Sequence, residues 1–124
     1  MGTKQTGKRA EDIAVEALEK AGYQILDRNW RCANGEIDII AKQGDEIVFV
    51  EVRSRVDGTI AGIEAALESV GRVKQTRLIR LAQSYVDSHD LSDSPSRIDV
   101  VAVSLPVDIT KPPLIEIMEN AIGW

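Results

Sequence analysis

Two apolar-rich stretches on either side of a short loop decide the fold: Glu36-Ile-Asp-Ile-Ile-Ala-Lys-Gln43 and Glu46-Ile-Val-Phe-Val-Glu-Val-Arg53, separated by Gly44-Asp45. A Gly-Asp pair between stretches of this kind is typical of a two-residue β-hairpin turn. With that turn Gln43 pairs with Glu46, and pairing continued along the strands brings Asp38 opposite Glu51. The pattern therefore predicts an antiparallel hairpin that carries two carboxylates on one face.

The predicted approach of Asp38 and Glu51 needs a physical reason, because like charges on neighbouring strands repel. Directly opposed residues have Cβ atoms about 4.5–5.5 Å apart, so the pair destabilises the sheet unless a cation relieves the repulsion. A divalent metal ion would do this. The alternative is that Arg53, next but one to Glu51 on the same strand, neutralises both carboxylates, and spacing alone favours neither explanation.

Strand alternation sorts the hairpin side chains into two faces. One face is predicted to carry Glu36, Asp38, Ile40, Phe49, Glu51 and Arg53, and the other Ile37, Ile39, Ala41, Val48, Val50 and Val52. The second face is wholly apolar and is expected to lie in the core. On the first face the same register places Glu36 opposite Arg53, which predicts a cross-strand salt bridge.

Chain length and cysteine content set the general class. A chain of 124 residues suits a single domain, here residues 1–124, with enough core to fold without disulfides or a structural metal. The single Cys32 cannot form an internal disulfide, which fits a reducing compartment. The first nine residues contain no apolar signal-peptide core, and no run reaches membrane-spanning length. We therefore expect a cytoplasmic protein with no membrane contact.

The charge balance bears on possible partners. Fifteen Lys and Arg against twenty Asp and Glu give a net charge of -5, which taken alone argues against nucleic-acid binding. The charged residues from Gly71 to Ala82 are nevertheless all basic: Arg72, Lys74, Arg77 and Arg80. A local positive surface can therefore exist on an acidic protein, although a solvated helix face explains the same pattern.

The remaining patterns predict an α/β or α+β protein with three layers. The expected elements are a helix over 10–21 ended by Gly22, three strands over 23–31, 36–43 and 46–53, a short helical turn over 63–68, a longer helix from Val70 to near His89, and strands over 97–104 and 114–119. Val70, Val73, Leu78, Leu81, Ala82 and Tyr85 mark the apolar side of the longer helix. A strand, a helix and a further strand suit a crossover connection, which predicts a mixed sheet that includes the antiparallel hairpin.

Gly35-Glu-Ile-Asp38 followed by Phe49-Val-Glu-Val-Arg-Ser-Arg55 resembles the signature of the PD-(D/E)xK nuclease superfamily, and more closely that of the YraN-type family of small bacterial predicted endonucleases. The resemblance covers nearly the whole chain. Its other segments are Gly7–Glu11, Gly22-Tyr23, Asn29–Arg31, Lys74 with Leu78, and Arg97–Val103. It implies an α/β, three-layer restriction-endonuclease-like fold with a mixed sheet and the element order α-β-β-β-α-β-β.

The resemblance also implies a site for Mg²⁺ or Mn²⁺. Magnesium prefers oxygen ligands and retains several waters, so Asp38, Glu51 and the backbone carbonyl of Val52 would suffice to hold it against a phosphate. Glu11 matches a first-helix glutamate that enters the metal site in similar archaeal junction resolvases. From its own sequence context Glu11 is an ordinary solvent-facing glutamate. The expected catalytic residues are Glu11, Asp38, Glu51 and Arg53.

Arg53 departs from the superfamily pattern, which has lysine at this position. Arginine stays charged at any working pH, so Arg53 can bind a phosphate or stabilise a transition state but cannot act as a general base. Two functions therefore stay open. One is a metal-dependent nuclease acting on DNA, including branched DNA, and the other is a catalytically silent module that binds nucleic acid or another protein.

Several further residues are assigned to substrate contact. Lys74 and Arg77 lie three apart on the long helix and could each contact a phosphate, although solubility explains them equally. Arg55 is expected to contact a phosphate or pair with Asp57, and Glu36 to line the nucleic-acid site. Superfamily resemblance suggests a homodimer. Asp99 could approach the site or be a buried partner for Arg97 or Arg31.

Overall fold

The computed structural model describes residues 3–124, with side chains from Gly7 onward. Its elements are α1 (Thr3–Lys20), β1 (Gln24–Cys32), β2 (Gly35–Gln43), β3 (Glu46–Val56), α2 (Ile60–Glu68), α3 (Arg72–Ser88), β4 (Ser96–Leu105) and β5 (Leu114–Ile122). The predicted domain over 1–124 and the predicted lack of a signal peptide take in Met1 and Gly2, which lie outside the described residues. No helix within 3–124 is long and apolar enough to cross a membrane.

The five strands form one mixed sheet in the order β1-β2-β3-β4-β5. The pairs β1–β2, β2–β3 and β4–β5 are antiparallel, while β3 and β4 are parallel. Parallel neighbours need a long crossover connection, which α2 and α3 provide. This confirms the predicted α/β class and mixed sheet. The helical turn predicted over 63–68 is the C-terminal part of the separate helix α2, which begins at Ile60 after an N-cap at Thr59.

The hairpin register is confirmed from the turn as far as Ile39. The observed pairs run from Gln43 with Glu46 to Ile39 with Val50, and Gly44 adopts the positive φ of 60° that the turn needs. The ladder of paired residues stops there. Instead of continuing it, the Asp38 carboxylate accepts a hydrogen bond of 2.9 Å from the backbone N–H of Val52. Asp38 and Glu51 are therefore neighbours without being a regular cross-strand pair.

Two apolar layers cover the sheet. On one face Ala10, Ala14 and Leu18 of α1 pack with Ile39, Ala41, Val48 and Val50, and on the other Leu78, Leu81 and Tyr85 of α3 pack with Ile40 and Phe49. Helix α2 lies on the α3 side, where Ile63 and Ala66 contact Ala102 of β4. The sheet between these two helical layers gives the three predicted layers.

One predicted face assignment is wrong. Ile37 packs on the α3 side with Ile40, although strict alternation places it with Ile39 on the α1 side. Residues three apart share a face only where the pleat is interrupted, so β2 is irregular around Asp38. The neighbouring strand is irregular at the same level, because Asn29 has a positive φ of 53°. Asp38 lies at this irregularity and does not take part in the regular β2–β3 pairing.

The apolar side of α3 begins later than predicted. Leu78, Leu81, Ala82 and Tyr85 are buried as expected, and Val70 is buried just before the helix begins. Val73, by contrast, is 79% exposed. Arg72 and Val73 at the start of α3 are exposed to solvent, as are Arg77 and Arg80 further along the helix.

Candidate metal centre

Three carboxylates from two elements converge at the irregular part of β2. Glu11 comes from α1, and Glu36 and Asp38 come from β2; one oxygen of each lies within 4.8 Å of the other two. We call these three residues the acid cluster. Glu11 points this way because its neighbour Ala10 is buried against the sheet, which holds α1 close to β2. The structure thus brings together Glu11 and Asp38, as the resemblance implies, and adds Glu36 to them.

The donor set fits a divalent ion of the predicted kind. Mg²⁺ binds oxygens at about 2.0–2.1 Å and Ca²⁺ at about 2.3–2.6 Å, so two oxygens on opposite sides of one ion are about 4–5 Å apart. The oxygens of the acid cluster lie within 4.8 Å of one another, which is compatible with that range. A small inward movement of the side chains, with waters completing the shell, would accommodate Mg²⁺ or Mn²⁺. All three groups are half-buried rather than fully exposed.

Asn29 orients two members of the acid cluster. Its side-chain amide donates hydrogen bonds to Glu11 Oε1 at 2.9 Å and to Glu36 Oε1 at 3.1 Å. Asn tolerates its left-handed backbone conformation better than most residues. Asn29 belongs to the segments that carry the family resemblance, and its role becomes visible only in the structure. The available signal was an asparagine, which strands disfavour, in the middle of a predicted strand.

The environment of Asp38 favours a bound cation. Burial, followed by the negative charge of Glu51, raises the pKa of Asp38 to about 7. The hydrogen bond from Val52 and the positive charge of Lys74 only partly oppose this rise. Burial likewise raises the pKa of Glu11, against the lowering effect of its hydrogen bond from Asn29. A divalent ion binds carboxylates in their charged form and would displace these protons.

Glu51 lies next to the acid cluster but outside it. Its side chain is only 3% exposed, and Oε2 contacts Lys74 Nζ at 3.3 Å and Arg53 Nη1 at 3.4 Å. Its charge reaches Asp38, since it raises the pKa of that residue. The structure therefore places the two predicted ligands side by side with different partners, and metal binding by Glu51 and by the Val52 carbonyl stays a prediction.

Arg53 forms hydrogen bonds with Ser69 in addition to its ion pair with Glu51. Its Nε donates to Ser69 Oγ at 2.7 Å and its Nη2 to the Ser69 carbonyl at 3.5 Å, which ties β3 to the end of α2. The predicted salt bridge between Glu36 and Arg53 is wrong. Glu36 pairs with Arg31 at 2.9 Å, because the β2–β3 ladder stops at Ile39 and leaves Glu36 beside β1.

Basic residues lie on two sides of the site. The acid cluster opens into a surface cavity of about 720 Å³, with Lys8, Arg28 and Arg31 in its wall. A second cavity, of about 450 Å³, lies along α3 and includes Arg77 and Arg80. The basic residues of α3 follow from the sequence pattern, whereas Arg28 and Arg31 of β1 reach the site only because α1 packs beside that strand.

Arg55 was expected either to contact a phosphate or to pair with Asp57. Arg55 is exposed, and in the part of the chain that the structure describes no ion pair joins it to Asp57. The Asp57 carboxylate instead accepts hydrogen bonds from the Thr59 N–H and from Ser104 Oγ, each at 2.8 Å. Phosphate contact by Arg55 stays a prediction.

Asp99 belongs to a separate buried network. It is fully buried and accepts hydrogen bonds from Tyr23 Oη at 2.8 Å, Arg97 Nε at 3.0 Å and the backbone N–H of Asn120 at 2.8 Å. The interpretation of Asp99 as a buried partner for Arg97 is thus confirmed. Burial, together with the hydrogen bond to Asp99, raises the pKa of Tyr23. Every acceptor atom of Asp99 is engaged, so it has a structural role.

The mixed sheet, the crossover through α2 and α3 and the carboxylates beside β2 define a three-layer α/β protein with a candidate metal site at an irregular strand. Within that class the chain belongs to the uncharacterised protein family UPF0102, the YraN family, whose family model matches residues 10–103. The resemblance seen in the sequence is thereby confirmed. The matched range contains the acid cluster, Glu51, Arg53 and Lys74.

Relatives in several bacteria share most of the chain. UPF0102 proteins from Chloroflexus aurantiacus, Syntrophus aciditrophicus and Moorella thermoacetica are 46%, 48% and 47% identical. These alignments cover 82%, 82% and 85% of this chain and 80%, 77% and 85% of the relatives. Among solved structures, SfsA of Pyrococcus furiosus in complex with Ca²⁺ is similar with a TM-score of 0.40 and 15% identity, over 98% of this chain and 65% of that one.

Proposed function

We propose that this protein is a divalent-metal-dependent nuclease that hydrolyses phosphodiester bonds in DNA, with branched DNA among its substrates. The observation that carries the proposal is the acid cluster: three carboxylate oxygens from α1 and β2 within 4.8 Å, at an irregular point of the sheet. Arg31 and Arg28 pair with Glu36 and Glu11, but Asp38 is half-buried with one backbone donor and a raised pKa, so a bound cation would relieve the repulsion that remains. The proposed cofactor is Mg²⁺ or Mn²⁺.

Different residues of the site would bind the metal ion, orient its ligands and set the local charge. Asp38, Glu36 and Glu11 would hold the ion, and Asn29 would keep the two glutamates oriented toward it. When bound, a divalent ion supplies Lewis-acid stabilisation of the phosphate and acidifies the attacking water. Glu51, held by Lys74 and Arg53, keeps a negative charge beside Asp38 and so favours cation capture. The protein then contributes mainly position and electrostatics.

The surroundings of the site support a polyanionic substrate. Arg77 and Arg80 line the cavity along α3, and Arg28 and Arg31 border the cavity at the acid cluster. Lys and Arg at these positions can neutralise phosphates on a strand that passes over the site, even though the whole chain has a net charge of -5. Arg55, exposed beyond the site on β3, would extend this surface.

Nuclease assays on defined DNA test the proposal. Single-stranded, duplex, flap and four-way DNA would be incubated with the protein and Mg²⁺ or Mn²⁺, alongside Asp38→Asn and the matched control Asp93→Asn. Asp93 is an exposed acid in the loop between α3 and β4. Metal-dependent products from the wild type and the control, and none from Asp38→Asn, are expected. Equal products from all three proteins would identify a contaminating nuclease.

The second candidate function is a catalytically silent nucleic-acid-binding or protein-interaction module. The observation that favours it is Arg53, which stands in place of lysine and is held by Ser69. Binding to DNA or RNA that persists in EDTA and falls with rising salt, without cleavage in Mn²⁺, would select this function. The two candidates therefore differ in their dependence on metal, which one titration measures.

Assembly and location are also proposals. β5 forms one edge of the sheet and exposes Leu114, Ile115 and Met118, which supports the expected homodimer. Light scattering coupled to size exclusion would measure the mass, and a purely monomeric protein at high concentration would contradict the dimer. We propose a cytoplasmic location on the basis of the single Cys32, and fractionation of cells would test it.

A further inference from the structure

Two cationic side chains, Arg53 and Lys74, contact Glu51, and they differ in their other hydrogen-bond partners. Arg53 contacts Glu51 at 3.4 Å but uses its Nε and Nη2 on the hydroxyl and carbonyl of Ser69. Lys74 contacts the same Glu51 oxygen at 3.3 Å, and its side chain is 34% exposed. Arg53 is exposed almost as much, at 32%, and both side chains keep unused N–H donors. They differ in their other contacts, because Arg53 links β3 to the end of α2 through Ser69, whereas Glu51 is the contact of the Lys74 ammonium among the described residues.

The position of Lys74 also suits an anion at the metal centre. It lies in the first turn of α3, next to the exposed Val73 and close to Arg77, with which it lines a surface cavity. Its charge acts on Asp38 of the acid cluster as well as on Glu51. Lys74 lines a surface cavity of α3 with Arg72 and Arg77, whereas Arg53 is held by Ser69, so a phosphate between the acid cluster and α3 could accept a hydrogen bond from Lys74 without disturbing a link in the fold.

Resting on the function proposed above, we propose that Lys74 is a catalytic residue whose ammonium donates to a non-bridging phosphate oxygen, and that Arg53 is structural. Water forms the new bond to phosphorus and one ester P–O bond breaks. The proton that water loses passes to solvent, and the leaving oxygen takes one up. The Lys74 ammonium stabilises the charge that develops on the phosphate, an effect of about 10²–10³-fold for one such donor.

The decisive experiment measures single-turnover cleavage at saturating DNA. For Lys74→Ala we expect a loss of about 100-fold in rate, with Mn²⁺ affinity and folded circular dichroism retained and DNA affinity changed less than tenfold. Lys42→Ala, which removes an exposed lysine of β2, is the matched control and should cleave at the wild-type rate. A wild-type rate from Lys74→Ala would overturn the proposal.

A relocated lysine separates chemistry from charge balance. The double variant Lys74→Ala/Arg53→Lys has the same net charge as Lys74→Ala but offers an amine on β3, next to the same Glu51. We expect it to recover at least tenfold of the lost rate. If Lys74 only neutralised Glu51, Arg53 would already do so and the relocated lysine would recover nothing, which would overturn the catalytic role.

Failure of this inference can be told apart from failure of the proposed function. If the wild type yields no metal-dependent products above Asp38→Asn, the nuclease proposal fails, and the role of Lys74 with it, before Lys74 is changed. If the wild type cleaves and Lys74→Ala unfolds, Lys74→Met, which keeps the apolar stem, replaces it in the same assay. Unfolding of both variants would overturn the proposal in favour of a structural lysine.

Discussion

The buried network around Asp99 and the acid cluster differ in how their carboxylates are neutralised. Around Asp99, donors from Tyr23, Arg97 and the Asn120 backbone meet both carboxylate oxygens, and the group is fully buried. In the acid cluster Asp38 has one backbone donor and lies among Glu11, Glu36 and Glu51, and its pKa is raised to about 7. Both oxygens of Asp99 thus meet donors from the chain, whereas in the acid cluster Arg31 and Arg28 pair with Glu36 and Glu11 and Asp38 receives one backbone donor.

The largest expected effect is on catalysis. Asp38→Asn should reduce metal-dependent DNA cleavage by about 1000-fold, equivalent to about 4 kcal/mol of transition-state stabilisation, because an amide binds a divalent ion far less well than a carboxylate. The free energy of unfolding of the metal-free protein should stay equal or rise, because charge repulsion is removed. Rate measurements and urea titrations on the same preparation check both. A marked loss of stability would mean that the acid cluster is structural after all.

The Asp99 network should respond in the opposite way. Asp99→Ala removes the buried carboxylate partner of Arg97 and leaves that guanidinium its contact with the partly exposed Glu46, so we expect a loss of about 3–5 kcal/mol in the free energy of unfolding. Urea denaturation with Asp93→Ala as an exposed control measures it. A loss below 1 kcal/mol would show that Asp99 contributes little to stability and that the two sites do not differ in this respect.

A smaller change is expected when the orientation of the acid cluster is disturbed. Asn29→Ala removes both hydrogen bonds to Glu11 and Glu36 and should weaken Mn²⁺ binding by about 10- to 30-fold, as changes next to metal ligands commonly do. Isothermal titration calorimetry gives the affinity. Asn34→Ala, in the β1–β2 turn, is the matched control. Unchanged Mn²⁺ affinity in Asn29→Ala would place the ion away from the two glutamates.

The smallest expected effect is a dependence on pH. The pKa of Asp38 is raised in the folded protein, so between about pH 4 and pH 7 the folded state binds more protons than the unfolded state. Stability of the metal-free protein should therefore fall through this group as pH rises over that range, while Mn²⁺ affinity rises by about tenfold from pH 6 to pH 8. Asp38→Asn should remove both trends. Affinity that is independent of pH would exclude Asp38 as a titrating ligand.

Local patterns in the sequence predicted the parts of the fold that depend on local physics. The Gly44-Asp45 turn sets the hairpin register, and five observed pairs follow from it. Alternation failed at Ile37, because a break in the pleat reverses the faces and a break leaves little trace in composition. The acid identities came from the resemblance, since nothing in the helix pattern distinguishes Glu11 from other exposed glutamates of α1.

Side-chain partners were harder to predict than strands. The partner of Glu36 depends on where the β2–β3 ladder ends, and the partner of Arg53 depends on where α2 ends in space. Neither point can be obtained from spacing along the chain. Asn29 was missed for the same reason, because its two acceptors are contributed by α1 and β2. These partners could not be predicted because they depend on how segments far apart in the sequence pack together, and residue type alone does not give that packing.

The hydrogen bond from Val52 to Asp38 has a consequence for detecting ligands. It joins β2 and β3 through a side chain where the regular ladder has ended, so the exchange of one amide proton with solvent depends on the position of one carboxylate. A cation that draws Asp38 toward Glu11 and Glu36 lengthens this bond, and the Val52 amide then exchanges faster while its neighbours in the hairpin stay protected. One nuclear magnetic resonance signal thus reports occupancy of the centre without any substrate.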